Sequence, residues 1–418
     1  QTIVGMEHVL QIFAALLFLE SGIAAVEAQH PSSNTRSALP PWSIWLTAPL
    51  LVATRYEGAF LVLPICMLLA WHRDWLRCVG LGLVSMLPVG LFAAYSNAVG
   101  NYPLPNSIII KADLLGVRAD VGIAEKALAN LTNTPVTGLF LVLALFIVWR
   151  HRGELRERAT SSTAAAAVAI AMGVVLQVVL ASTGWLFRYE AYLVAVGLVF
   201  LGPYALDELR DQIATRTTPR IATVTMWLLL ALVASRGIAA GYDSVRSIND
   251  RYLEHVLPTR FVAESFPDAT LMVNDLGLPA WLHTGPVLDV FGLGSNEPLE
   301  MRLDDEGYTR GDVAAWADER GVQIAIHQIE WPFVARRLPH AWEIVSIWKV
   351  PRNVVFGDQL VAFFAVDPSI APALRTRMQI YTDEHVPNTV KVRIYEPGER
   401  QFGDFVDVDQ GRDAARRP

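Results

Sequence analysis

AAAAVAIAMGVVLQVVLASTGWLFRYEAYLVAVGLVFLGPYAL, residues 164–206, holds two apolar runs, 164–181 and 189–206, with the polar wedge Arg188-Tyr189-Glu190 where they meet. Each run approaches the roughly 20 residues that a helix needs to cross the hydrocarbon of a bilayer. Similar runs occur at 79–94, 134–149 and 221–240. A charged triplet at the border of such runs is costly to hold in or near lipid and by default marks a functional surface. The same tripeptide occurs a second time, as Arg55-Tyr56-Glu57, between apolar segments 42–53 and 59–71. Those segments are each too short to span a bilayer comfortably, so two short or tilted helices are expected to meet there below the surface. Non-helical backbone at that depth is tolerated where it lines a protein-enclosed or wet cavity.

Composition extends this reading to the whole chain. Of 418 residues, 53% are hydrophobic and 18% charged, too apolar for an ordinary soluble protein of this length. After Gly241 the character changes: most charges of the chain appear, no comparable apolar run recurs, and short strand-like and helix-like patterns alternate. The sequence therefore predicts a polytopic α-helical membrane domain over 1–241 and a smaller α/β soluble domain over 242–418. The net charge of −7 comes from no single acidic tract, and there is no basic stripe with interleaved aromatics, which argues against a nucleic-acid partner. Cys66 and Cys78 lie in or beside apolar segments and indicate neither a disulfide framework nor a thiolate metal site.

Charge in the short loops sets an expected orientation. Arg73 and Arg77 occupy one loop, Arg150, Arg152, Arg156 and Arg158 a second, and Arg210, Arg216 and Arg220 a third. These loops alternate with the other connections, as they must if all three are cytoplasmic under the positive-inside rule. The rest then falls outside: Gly5-Met6-Glu7-His8 at the head of the first helix, both Arg-Tyr-Glu copies, the loop 97–133 and everything after Gly241. The polar loop with Asn34 and Arg36 falls inside. The expectation is a multi-pass plasma-membrane protein with an extracytoplasmic C-terminal domain.

Four clusters share the external face in this layout: Glu7/His8, Arg55/Tyr56/Glu57, Asn106 to Lys111, and Arg188/Tyr189/Glu190. Arg55, Arg188 and Lys111 can hold a phosphate, the arginines as bidentate forks and the lysine as a point charge. Glu57, Glu190 and Glu7 can orient sugar hydroxyls, take a proton from an acceptor alcohol, or bind a divalent cation such as magnesium or manganese, which no cluster requires. His8, Tyr56, Asn106 and Tyr189 complete the candidate substrate-binding set. A lipid-linked phosphosugar meets these requirements together, its tail in lipid, its phosphate at the border and its sugar in water. Simpler readings stand beside this one: Tyr and Arg anchor helices at interfaces, an acid near a helix N-terminus is favoured by the dipole, Asn106 can shape a turn after Pro105, and Glu20 can serve as a hydrogen-bonding group inside a helix bundle.

At these residues the chain resembles the integral-membrane glycosyltransferases of the GT-C class. The matching elements are Gly5-Met6-Glu7 opening a helix, the turn Thr54-Arg55-Tyr56-Glu57-Gly58, the loop from Gly100 to Lys111 with Leu104-Pro105-Asn106-Ser107 at its core, and Phe187-Arg188-Tyr189-Glu190 before a late helix. Asn274-Asp275-Leu276-Gly277 and Leu288-Asp289-Val290-Phe291-Gly292-Leu293 are similar to a segment that follows the membrane region in actinobacterial arabinofuranosyltransferases and related mannosyltransferases. The resemblance runs from about residue 3 to about residue 330. It implies an inverting-type transfer of a sugar from a polyprenyl phosphate to an envelope glycan, lipid or protein acceptor at the external face. In that class the catalytic acid lies in the first external loop after the first transmembrane helix, and no such helix precedes Gly5. Because the chain opens on Gln1, the expectation is that the natural protein starts upstream and carries the base there; failing that, Glu7, Glu57 or Glu190 must serve. The rival readings are a lipid-phosphate or small-solute transporter, which should show inverted repeats with sites near the midplane, and a non-catalytic membrane-anchored assembly or sensor protein.

For the soluble part, strands are expected at 270–273, 287–291, 322–327, 343–350 and 359–366, with helices at 312–320 and 370–381 and a polar helix over 242–267. Strands alternating with helices suggest an α/β layer arrangement. The glycines at 277, 285, 292 and 294 form no phosphate-loop spacing, and His283, His327, His340 and His385 no metal-site spacing. Asn274, Asp275 and Asp289 lie at strand ends, as binding groups or as ordinary turn formers.

Overall fold

The computed structural model describes residues 7–29, 38–112, 122–181, 183–184, 188–215, 221–303, 309–330, 336–351, 354 and 359–399. Expectations resting on Gly5, Met6, Asn34, Arg36, Phe187, Arg216 and Arg220 lie outside the described residues. The chain divides into two compact units, Gln1–Leu104 with Leu114–Ile238, and Pro105–Asp113 with Ala239–Pro418.

The first unit is helical: α1 (His8–Glu27), α2 (Ile44–Thr54), α3 (Ala59–Trp71), α4 (Trp75–Ala98), then α6 (Ile123–Asn133), α7 (Pro135–Arg150), α8 (Arg152–Arg156), α9 (Ser162–Leu180), α10 (Ala191–Thr215) and the start of α11 (Ile221–Arg251). The short α5 (Asn106–Ala112), which the sequence reading kept within 1–241, groups with the second unit. Helices α1 and α9 occupy the middle of the bundle, α1 against α2, α3, α9 and α10, and α9 against α3, α6, α7 and α10. Small residues allow this close packing. Ala164, Ala165, Ala166, Ala167 and Ala169 are buried along α9, and a Cβ on Gly173 would lie 3.0 Å from the Leu61 side chain. On α10, a Cβ on Gly197 would meet the Phe140 ring at 2.5 Å. Small residues at such crossings are how helices approach one another without a hydrophobic driving force between them.

Five of the described helices are long and apolar enough to cross a membrane: His8–Glu27, Trp75–Ala98, Ser162–Leu180, Ala191–Gln212 and Thr223–Ser265. The run at 134–149 forms α7, which reaches spanning length only together with α6, and the pair is bent by 103°. Asn130 supports this break: buried, it donates from Nδ2 to the carbonyls of Val178 at 2.8 Å and Ala181 at 3.0 Å, fixing the end of α6 to the end of α9. Leu76, Leu83 and Leu91 on one face of α4 are 86%, 71% and 63% exposed. A bare leucine face of that extent is unsuited to water and suited to lipid.

Helices α2 and α3 are roughly 17 and 20 Å long at 1.5 Å per residue, short of the roughly 30 Å hydrocarbon core. They meet at the first Arg-Tyr-Glu copy. Arg55 is extended (φ −161°, ψ 141°), and Tyr56–Gly58 forms a 3-10 turn closed by Gly58 N–H to the Arg55 carbonyl at 2.9 Å. Gly58 is required by space: a Cβ there would lie 2.7 Å from the Leu51 side chain and 2.8 Å from its carbonyl oxygen.

The second unit is a small sheet-containing domain. Its strands are β1 (Leu271–Val273), β2 (Val287–Asp289), β3 (Ile324–Gln328), β4 (Glu343–Lys349), β5 (Leu360–Ala365) and β6 (Lys391–Ile394), in the order β2-β1-β3-β5-β4-β6. The first three are mutually parallel and the remaining pairs antiparallel. The sequence located β1 to β5 but not β6, nor α13 (Gly277–Leu282) and α14 (Asn296–Leu303). Helix α12 (Leu257–Ser265) and α16 (Ala371–His385) cover one face through Phe261, Trp348, Phe363 and Met378. Helix α15 (Arg310–Glu319) covers the other through Val313, Trp316, Trp342 and Phe364. Its start is fixed by a capping box between Thr309 and Asp312.

Candidate functional site

The two Arg-Tyr-Glu copies, more than 130 residues apart in sequence, meet in the first unit. Arg55 lies 5.4 Å and Arg188 5.0 Å from the centroid of the Tyr189 ring, both within cation–π reach. Arg188 also donates from Nη2 to the Tyr189 hydroxyl at 3.2 Å. The first copy is joined by the head of α1. Arg55 donates from Nη2 to Glu57 Oε1 at 2.7 Å, from Nε to Glu57 Oε2 at 3.3 Å, and from Nη1 to Glu7 Oε1 at 2.8 Å. The fork therefore grips its own triplet's carboxylate bidentately and reaches a second, on another helix, with its remaining nitrogen.

His8 fixes one more detail. Its Nε2 lies 2.8 Å from Arg55 Nη1, and a guanidinium only donates, so Nε2 is the acceptor and the imidazole carries its hydrogen on Nδ1. That Nδ1 is buried, with no hydrogen-bond acceptor in range among the described residues, and Glu7 Oε1 stands 3.8 Å away. The ring is itself 6.3 Å from Tyr189. Glu57 is tied to the bundle through its backbone, its carbonyl accepting from the Tyr192 hydroxyl at 3.4 Å while that hydroxyl also lies 3.0 Å from Gln177 Oε1.

Glu190 faces elsewhere. Fully buried, it accepts from Arg236 Nη2 at 2.7 Å on one oxygen and from the Gly184 backbone N–H at 2.9 Å on the other. This suits it to hold the turn before α10 rather than to meet an acceptor hydroxyl. Sequence reasoning missed Arg236, which sits inside the apolar run 221–240; a charge within a spanning segment is itself the signal that points to a bundle-interior partner. Tyr56 opens the 3-10 turn, half-buried.

Asn106 and Lys111 lie on α5 and so belong to the second unit. Asn106 donates from Nδ2 to the Ser295 carbonyl at 3.2 Å and to Asn296 Oδ1 at 3.3 Å, fixing α5 to the start of α14. Among the described residues no three His, Cys, Asp or Glu side chains converge as metal ligands. Of the strand-end residues, Asp289 takes the backbone N–H groups of Phe291, Leu293 and Gly294, the turn-forming role. Burial pushes its carboxyl above the usual range against the pull of those N–H groups. Asn274 accepts from the Gln328 backbone N–H at 3.2 Å and ties the ends of β1 and β3 together. His327 is a core group, wholly buried and stacked on Trp342 at 12° between planes, with its pKa held down to about 3 by burial.

A family model described as a domain of unknown function, DUF8728, matches residues 246–364, a stretch within the second unit that holds β1 to β4 and most of β5. No curated protein and no solved structure matches the chain.

Proposed function

We propose that the protein is a membrane glycosyltransferase that moves a sugar from a polyprenyl phosphate to an envelope glycan, lipid or protein acceptor on the external face. The observation that carries the reading is the convergence of Arg55 and Arg188 on the Tyr189 ring, beside Glu7, Glu57 and His8, where an apolar helical hairpin breaks.

The chemistry follows from what each group can release. Arg55 holds two carboxylates, of which Glu57 is bidentate and 23% exposed, and Glu7 is held by one contact and 45% exposed. A donor phosphate arriving at this point takes the Nη1 contact from Glu7 and is reached by the Arg188 guanidinium, which shares the Tyr189 ring with Arg55. Negative charge builds on the phosphate as the bond from the anomeric carbon to the phosphate oxygen breaks, and fixed guanidinium groups in a site of low dielectric stabilise that charge. The acceptor hydroxyl attacks the anomeric carbon, and its proton passes to a carboxylate, for which the displaced Glu7 is placed. Glu57 keeps Arg55 in position, and Glu190 with Arg236 keeps the second copy in position.

The test uses the full chain in lipid nanodiscs with radiolabelled polyprenyl-phosphate pentoses and hexoses and membrane glycan as acceptor. Arg55→Ala and Arg188→Ala are each expected to lower transfer by about 100-fold or more, the scale of losing one charge-stabilising donor. Wild-type rates in both variants would overturn the proposal.

A further inference from the structure

The first unit carries a second charged surface, which the transfer reading does not use. Residues 73–77, at the turn from α3 into α4, and 150–158, from the end of α7 through α8, hold six arginines against three acids, Asp74, Glu154 and Glu157. The fold joins the two stretches. Trp71 donates from Nε1 to the Leu155 carbonyl at 2.9 Å, His72 Nε2 lies 3.0 Å from Thr160 Oγ1, and the Arg158 guanidinium lies 5.5 Å from the centroid of the Trp71 ring. Two of the acids are engaged locally. Asp74 caps α4 through the Arg77 backbone N–H at 3.1 Å, accepts from Gln29 Nε2 at 3.0 Å and stands 3.4 Å from Arg77 Nε, while Glu154 lies 2.8 Å from His151 Nδ1. Among the described residues, Arg73, Arg150, Arg156 and Arg158 pair with no carboxylate. Arg55, Arg210 and Arg236, in the same unit, each hold one.

Backbone geometry marks two of these arginines. Arg73 (φ 66°) and Arg158 (φ 61°) are the two non-glycine residues in the left-handed region among the described residues. Each follows the end of a helix, α3 in one case and α8 in the other, as the left-handed residue of a Schellman ending. Asp74 N–H donates to the Leu69 carbonyl at 2.9 Å, and Ala159 N–H to the Glu154 carbonyl at 2.9 Å. Glycine is the usual occupant of this seat, because a Cβ there is strained. A cation near a helix C-terminus is favoured by the dipole, but the preceding turn offers that gain without the strain. Placing arginine in both seats is explained if the charge is used where it stands.

The residues beside the arginines select the anion. Trp71, Trp75 and Trp149 are exposed next to them, and tryptophan is enriched where membrane meets water. Leu76, adjacent to Arg77, opens the bare leucine face of α4. A soluble acidic peptide or a free anion has no use for that apolar rim. An anionic lipid fits both parts, its acyl chains against the leucines and its phosphate against the guanidinium groups, whose forks match phosphate oxygens. Basic clusters at the ends of spanning helices attract anionic headgroups in this way.

We propose that this two-loop platform binds the phosphate headgroup of an anionic phospholipid, independently of whether the unit transfers sugar. The test adds phosphatidylglycerol or phosphatidylcholine to the full chain in detergent and counts bound lipid by native mass spectrometry, with glycerol phosphate as a soluble competitor. Wild type is expected to hold phosphatidylglycerol in preference to phosphatidylcholine, and glycerol phosphate should not displace it. Arg73→Gly with Arg158→Gly puts into each left-handed seat the residue that favours it, so the melting temperature should hold or rise. Phosphatidylglycerol binding should nonetheless weaken about fivefold for each arginine removed, the scale of one basic residue at an anionic surface. Arg150→Ala with Arg156→Ala, both at exposed positions, should weaken it to a similar degree and carries the same test without touching the turns. Arg210→Ala, from the third basic stretch and already paired with Asp207, should leave binding unchanged. No preference for phosphatidylglycerol, unchanged binding in both double variants, an equal loss in Arg210→Ala, or full displacement by glycerol phosphate would each overturn the proposal.

Discussion

The two Arg-Tyr-Glu copies are spelled alike and paired differently. In the first, the glutamate turns back on its own arginine, because Arg55 is extended and the 3-10 turn after it brings Glu57 under the guanidinium. In the second, the glutamate is buried against Arg236 from another helix, while Arg188 lies along its neighbour Tyr189. Backbone shape, not residue type, decides which charge answers which. One carboxylate becomes part of a partly exposed cluster that can exchange partners, and the other becomes a buried fixture. A repeated motif is therefore not a repeated function, even where its copies meet.

The contrast is broken most severely at Glu190. Glu190→Ala leaves Arg236, 15% exposed, without its buried carboxylate, and removal of one partner from a buried pair typically destabilises by about 3–5 kcal/mol. Glu57→Ala should lose less, about 1–3 kcal/mol, because Arg55 keeps Glu7 and His8. Thermal unfolding of the full chain in detergent compares the two. The double variant Glu190→Ala with Arg236→Ala should lose less than the sum of the single changes, as contacting groups do. A larger loss from Glu57→Ala would reverse the assignment of fixture and exchangeable cluster.

The next effect concerns the residue after each triplet, Gly58 in one and Ala191 in the other. Gly58→Ala forces a methyl into Leu51 at under 3 Å from both its side chain and its backbone. Overpacking of this kind destabilises by about 1–3 kcal/mol, and here it also displaces the turn that aims Glu57. Ala191→Gly opens no such clash and weakens only the first turn of α10, by about 1 kcal/mol or less. Equal melting temperatures for the two variants would show that the first turn has room that the packing of Gly58 against Leu51 denies it.

What could be read in the sequence follows the same division between strong and weak physical demands. Lipid requires long uninterrupted apolar runs, so α4, α9 and α10 were legible, as were strands such as Ile324–Gln328, buried on both faces. Strand β6 was not, because Lys391 and Arg393 alternate with Val392 and Ile394 on an exposed edge, where charge is what an edge strand needs. Helices α13 and α14 are one to two turns long and open on Gly277 and Asn296, residues that read as loop. At the site, the meeting of both triplets at Tyr189 was foreseeable only as a shared face. The pairing of Glu190 with Arg236 depends on how two helices rotate against each other, and the sequence carries no local mark of it beyond one arginine in an apolar run.

The smallest effect tests the exchange itself. Burial pushes the Glu7 carboxyl up, while its own backbone N–H, His8 and Arg55 together outweigh burial and hold it below the usual carboxylate range. A depressed carboxylate contributes stability that is present above its unfolded value and lost as pH falls through its folded value. Glu7→Gln should therefore cost under about 1 kcal/mol near neutrality, as for other partly exposed ion pairs, and nothing in acid where the wild-type carboxyl is protonated. On the proposed sugar transfer its effect should be disproportionate. With Glu7 uncharged, the donor phosphate no longer competes for Arg55 Nη1, so the donor KM should fall or hold. The group placed to take the acceptor proton is gone, so kcat should drop by about 100-fold. A variant that loses stability without splitting KM from kcat would make Glu7 a tether for Arg55, and the first triplet as fixed as the second.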